Sequence, residues 1–315
     1  MRILTTLVTA KPKLNIKTKI VNLWVFITRN KSLTIGLLIF SIMVFLALFA
    51  DIIAPYNYAE RNRNCGEENP YCRYAPPSIQ HPFGTNLLGR DMLSRIIHGS
   101  RITLIIAFSG TLLAMIVGIP LGILSGYFGG KVDRFLTLIA DSIYSLPSLL
   151  LAIALALFFA STGLFKTIAP VSIATAVVYI PTYFRVIRSQ VLQVKEEAYV
   201  EAAKSLGAGK LTILLRYITP NVLASSIAII PFNMTDAILT NAGLAYLGLG
   251  IQPPTPDWGY DIYDARELSK IRLYPWLIIF PGLMIFLLAF ALSLVGDALN
   301  DKFNPLITKI RLGIK

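Results

Sequence analysis

The chain of 315 residues is 55% hydrophobic and 15% charged, with a formal net charge of +12. Its apolar residues lie in six unbroken runs while the connections carry nearly all the charge, which excludes a soluble globular domain and a disordered chain. Spanning helices satisfy their own backbone hydrogen bonds, so the expected class is an all-α polytopic membrane protein.

The first segment, 1–32, carries Arg2, Lys11, Lys13, Lys17, Lys19, Arg29 and Lys31 and no acid. Its apolar start, ILTTLV, is too short for a cleavable signal. Trp24 and Phe26, between basic clusters, suit at most an interfacial helix. A first span is expected over 33–53, followed by a long external loop over 54–101. The only two cysteines, Cys65 and Cys72, fall in that loop. On an oxidising face they form a candidate disulfide, with a pair of free thiols as the other reading. Later in the loop, Leu87–His98 alternates charged and apolar residues at helical spacing, which predicts a helix lying on the outer surface.

A core with five more spans is expected over 102–298: Ile102–Tyr127, Leu136–Ala160, Thr167–Phe184, Val222–Gly248 and Pro275–Val295. In the second span Gly110, Ala114, Gly118, Gly122 and Gly126 recur every four residues, a ridge that lets another helix approach closely. Asp141, near the start of the third, reads as a structural group at its cytoplasmic end. The connection at about 190–220 is rich in Lys and Arg, and so is the tail, 299–315. Basic residues favour the inside, so both termini are expected in the cytoplasm and the charge excess needs no nucleic acid. The second external loop holds Trp258, Tyr260, Tyr263, Tyr274 and Trp276, which suit the headgroup level.

Polar residues inside a span usually face an interior or a cavity. In the fifth span Asn233, Asp236, Thr240 and Gly243 fall on one helical face, with Asn241 about 100° around from Thr240. Such a stripe lines a translocation pathway or forms a hydrogen-bond network between helices, and the pattern alone fits both.

Enzymatic constellations are missing: there are two histidines, no metal-ligand cluster and no GxSxG elbow. GAGKLT resembles the end of a phosphate-binding loop, but Lys204 stands where its first glycine should be and Leu211 where a hydroxyl should bind magnesium. The surrounding segment suits something else. KEEAYVEAAKSL predicts a short helix over Lys195–Leu206, with Glu196 and Glu197 at its start, Lys204 near its end and Val200, Ala203 and Leu206 as a narrow apolar face. Gly207 ends it, and Leu211–Tyr217 starts a second helix before Pro220 enters the next span. A helix–glycine–helix elbow of this kind can pass force from a soluble partner into the membrane helices, with an ordinary cytoplasmic loop as the other reading.

EAYVEAAKSLGAGKLTILLRYITPN resembles the EAA loop of binding-protein-dependent ABC importer permeases. HPFGTNLLGRDMLSRIIHGSR, GIPLGILSGYFGGKVDR, AGLAYLGLGIQPPTPDWG and PWLIIFPGL resemble, in order, segments of the dipeptide, oligopeptide and nickel branch, second-subunit type. The resemblance implies a six-span type I importer permease without catalysis of its own, in the cell membrane. It implies a second homologous permease subunit, two ATP-binding subunits carrying ATP and Mg, and an external solute-binding protein; the chain itself binds no cofactor. Glu201, Ala202, Ala203 and Gly207 would then dock on an ATPase, with Glu197, Lys204 and Arg216 in the same coupling segment. Peptides are the expected substrates, with oligosaccharides or nickel as alternatives and a stand-alone secondary transporter as a remote one. Tyr217 stands where relatives often have His, and Asn241 where they often carry Glu; Asp236 is the candidate substitute for that carboxylate.

Overall fold

A computed structural model describes residues 25, 27–60, 73–162, 168–266 and 272–303. Cys65 and Cys72, the segment before residue 25 and most of the tail lie outside the described residues. Within them the elements are helical, apart from one isolated antiparallel bridge between Thr85 and Asp91. They are α1 (Lys31–Leu48), α2 (Ala50–Ile53), α3 (Met92–Phe128), α4 (Gly130–Tyr144), α5 (Ser148–Ser161), α6 (Ala169–Val194), α7 (Ala198–Ser205), α8 (Lys210–Thr212), a π-helical turn (Ile213–Ile218), α9 (Thr219–Tyr246), α10 (Trp258–Asp264) and α11 (Trp276–Phe303).

Among the described residues, five helices are long and apolar enough to cross a membrane: α1, α3, α6, α9 and α11. The third expected span is not one helix. It is the pair α4 and α5, bent by 92°. Pro147 supplies the reason: it has no N–H to continue the ladder and pushes the residue before it out of helical geometry. The second departure runs the other way. The helix expected on the outer surface at Leu87–His98 is instead the first part of α3, which continues unbroken to Phe128. Asp91 caps it by accepting from the Ser94 amide at 2.7 Å, and no proline interrupts it before Pro120.

Burial orders the bundle. In the apolar stretch of α6, 67% of residues are buried, against 22% in α1 and in α11, so α6 is central and the other two face outward. Tyr179, Tyr183, Ile187 and Val191 of α6 share one core with Ile106, Ala107 and Ala114 of α3 and with Met234, Ala237 and Ile238 of α9.

The small-residue ridge of α3 is the seam with α6. A Cβ added at Gly118 would lie 2.7 Å from Tyr183 Cβ, at Gly122 2.7 Å from the Phe184 carbonyl oxygen, and at Gly126 2.7 Å from Val191 Cβ. Those neighbours are backbone or the roots of side chains, which cannot swing aside. Gly122→Val is therefore expected to destabilise the protein by about 1–3 kcal/mol or more, through forced separation of the two helices. Gly282→Ala, where an added Cβ meets nothing within 4 Å, serves as the control. Thermal unfolding in detergent should drop for the first variant and hold for the second; equal melting would refute the seam.

Candidate functional site

At one end of the bundle the chain forms the expected elbow. The turn Lys195–Glu197 closes α6, so α7 starts at Ala198, with Glu197 at its N-cap and Glu201 in its first turn. Gly207 adopts φ +79°, and the chain closes the helix with Gly207 N–H on the Lys204 carbonyl (2.9 Å) and Ala208 N–H on the Ala203 carbonyl (3.0 Å). That left-handed closure suits glycine because no Cβ meets the backbone. Val200 and Ala203 are buried against the π-helical turn, whereas Glu201, Ala202 and Lys204 are exposed. Leu206, expected on the inner face, is instead 88% exposed, since the helix ends there and the closure turns it outward. With Leu211 and Leu215 it leaves an apolar patch at the tip.

Three contacts tie this elbow to the spans. Tyr127, at the end of α3, donates to the Lys210 carbonyl (3.1 Å). Asn221 of α9 donates to the Tyr199 hydroxyl of α7 (3.0 Å) and to the Tyr217 carbonyl (2.6 Å). The segment from α8 through the π-helical turn, which carries exposed Arg216, runs straight into α9 with no loop between. The wider π turn lies just before Pro220, whose ring would otherwise crowd the carbonyl four residues back.

The predicted polar stripe of α9 divides. Asn233 is buried beside Tyr183, and Asn241 is buried with its amide donating to Asp257 Oδ2 at 3.0 Å. Asp236, Thr240 and Gly243 line a cavity of about 580 Å³ with Tyr179 and Thr182 of α6 and the bent corner around Leu146 and Pro147. Tyr179 and Thr240 share a hydrogen bond of 2.9 Å across it. The corner is held by ion pairs between α4 and α6. Arg188 grips Asp133 through two nitrogens (2.5 and 2.7 Å), and Arg185 binds Asp141 at 2.7 Å while lying 4.0 Å from the centre of the Tyr144 ring. Asp141, expected as a structural group, is half of that clamp.

At the opposite end a buried network joins α3, α9 and α10. Arg95 Nε donates to Asp261 Oδ1 at 2.8 Å, and both side chains are almost fully enclosed. Trp258 Nε1 donates to the Ile96 carbonyl (3.0 Å), with its ring against Gly99. Asp257 caps α10 through the Tyr260 amide and holds Asn241. One guanidinium thus faces two buried carboxylates. Burial pushes Asp261 up from its ordinary 3.8 to about 6, against the pull of Arg95, and pushes Asp257 up as well. Between the two Asp261 values the folded protein holds a proton that the unfolded chain has released. The stability from neutral Asp261 is thus complete below the lower value and lost as pH rises through the upper. Melting should be higher at about pH 5 than at about pH 7, and Asp261→Asn should shrink that difference. An Asn variant with an unchanged pH profile would assign the dependence to another group.

Residues 118–309, more than half of the chain, match the family model described as the binding-protein-dependent transport system inner membrane component. The chain belongs to that family. Residues 22–77 match a second model, the N-terminal TM domain of oligopeptide transport permease C. Among its relatives are a di/tripeptide transport system permease protein, DppC, of Pseudomonas aeruginosa (37% identical, covering 90% of each chain) and a dipeptide transport system permease protein, DppC, of Alkalihalophilus pseudofirmus (36%, covering 88% of this chain and 86% of that protein). A glutathione transport system permease protein, GsiD, of Pectobacterium atrosepticum is 36% identical over 89% of this chain. The fold is similar to a chain of the MetNI methionine ABC transporter in an inward-facing form, with a TM-score of 0.53 over 66% of this chain at 18% identity. The protein is therefore a multi-pass inner-membrane permease subunit with the type I ABC importer fold.

Sequence reasoning missed Tyr179, Thr182, Arg95 and Asp261. The spacing of Tyr179 and Thr182, three residues apart in an apolar helix, was a usable signal. Arg95 and Asp261 had none, because 166 residues separate them.

Proposed function

We propose that this permease imports peptides as one half of a translocation unit, driven by ATP hydrolysis on partner subunits. The relatives named above transport dipeptides, di/tripeptides and glutathione, which favours a short peptide as cargo. The observation that carries the mechanism is the exposed α7 elbow joined without a loop to α9. The elbow lies on the cytoplasmic side with both termini, and the end of the bundle that encloses Arg95, Asp257 and Asp261 lies outside, on the side of the solute-binding protein. ATP and Mg belong to two ATPase subunits, and a second homologous permease completes the pathway. A displacement of Glu201–Gly207 against the ATPase is carried by the Tyr127 and Asn221 contacts into α3 and α9, and α9 bears Asp236 and Thr240 in the cavity wall.

The test is co-purification followed by transport. The tagged chain should bring down a second permease and an ATPase, and proteoliposomes holding that complex should take up labelled dipeptide only with ATP inside and the solute-binding protein outside. Uptake by this chain alone, without ATP, would overturn the proposal.

A further inference from the structure

The cavity beside α9 has an unusual charge balance. Its walls are apolar from Leu146, Leu149, Val178 and Leu239, and its polar groups are hydroxyls except for one carboxylate, Asp236. Among the described residues no lysine, arginine or histidine lines it. Asp236 has no hydrogen-bond or ion partner among the described residues. The arginines of the α4–α6 clamp are already engaged, Arg185 with Asp141 and Tyr144 and Arg188 with Asp133. An unpaired carboxylate at membrane level is costly, and such groups mark the path of a charged solute. The volume of about 580 Å³ falls among small-molecule sites, which span roughly 300–1,000 Å³.

We propose that Asp236 is a transit subsite for a protonated amine. Its carboxylate faces the cation of the moving solute, and the Tyr179–Thr240 hydroxyl pair, one helical turn away, offers oxygen acceptors for the remaining N–H groups. An ammonium group has three donors and no acceptor, which this set of oxygens matches. Among the described residues Gly243 and the bent corner leave the walls beyond these oxygens without further charge, so the rest of the solute is gripped weakly. A site of this kind must release its cargo. One uncompensated carboxylate with neutral neighbours orients the amine end without trapping the solute.

The inference rests on the peptide-import reading for the identity of the amine, as the N-terminus of a peptide, and its experiment has two arms. In the first, the whole transporter is rebuilt in proteoliposomes with saturating solute-binding protein and radiolabelled dialanine. Asp236→Asn should lower uptake by about tenfold, the effect of losing one hydrogen bond to a charged group, and Asp236→Glu should retain most of it. Equal recovery of the assembled complex shows that the variants fold. Asn uptake within twofold of the unaltered protein overturns the subsite. In the second arm, a hydrophobic carbodiimide labels Asp236 in the unaltered complex, followed by mass spectrometry. Butylammonium should protect it and butanol at equal concentration should not. Equal labelling with both additives, or no labelling without them, overturns the subsite whatever is transported. Failure of the unaltered complex to import dialanine, with protection intact, removes the peptide reading and leaves an amine subsite for another cation.

Discussion

Transport by a reconstituted complex carrying Glu201→Lys should fall by about thirtyfold or more, the cost, about 2–5 kcal/mol, of losing a charge that the proposed ATPase contact would bury. In the structure Glu201 is exposed in the first turn of α7, where a carboxylate complements the helix dipole. Reversal places a cation there and sets it three residues from Lys204, a repulsion that lowers helix stability by only about 0.2–0.5 kcal/mol. The fold therefore survives, since Val200 and Ala203 still anchor the helix to the π-helical turn. The change falls on the exposed face that is proposed to dock on the ATPase. Membrane levels of the permease should stay normal while uptake and recovery of the ATPase fall together. Glu201→Lys with uptake within a factor of two of the unaltered complex would remove α7 as the coupling surface.

Arg95→Met should destabilise the protein by about 3–5 kcal/mol, because removal of one partner leaves the buried Asp261 carboxylate without compensation. Met preserves much of the apolar stem, so the loss reports the charge. Asp257 keeps the Tyr260 amide and Asn241, whereas Asp261 keeps no side-chain donor once Arg95 is gone. Adding Asp261→Asn to Arg95→Met should restore part of the stability, since a neutral amide carries a smaller desolvation penalty. The measurement is thermal unfolding in detergent with the two single variants and the double. Strict additivity would show that the 2.8 Å contact carries no coupling.

Some of the site was legible in the residues because its chemistry is local. Gly207 needs a positive φ to close α7, and the pattern EAAKSLG shows that from spacing alone. The ridge from Gly110 to Gly126 declares a close helix contact by its four-residue period, though not that α6 is the helix it meets. The stripe on α9 was legible as polar but not as two different things. Asn233 and Asp236 share a face by count, yet Asn233 is buried beside Tyr183 while Asp236 opens on the cavity.

Composition and short-range periodicity were enough to define a helical membrane chain and the elbow between the fourth and fifth spans, while the family came from the resemblance of EAYVEAAKSLGAGKLTILLRYITPN to an EAA loop. Desolvation of the backbone in lipid leaves few solutions, so long apolar runs read directly as helices. Which groups meet was a matter for the tertiary structure. The bend between α4 and α5, the clamp of Arg188 on Asp133, the pairing of Arg95 with Asp261 and the solitary position of Asp236 all appear only once the helices are packed. Burial of a charge is settled by the elements packed around it, and no local spacing encodes that.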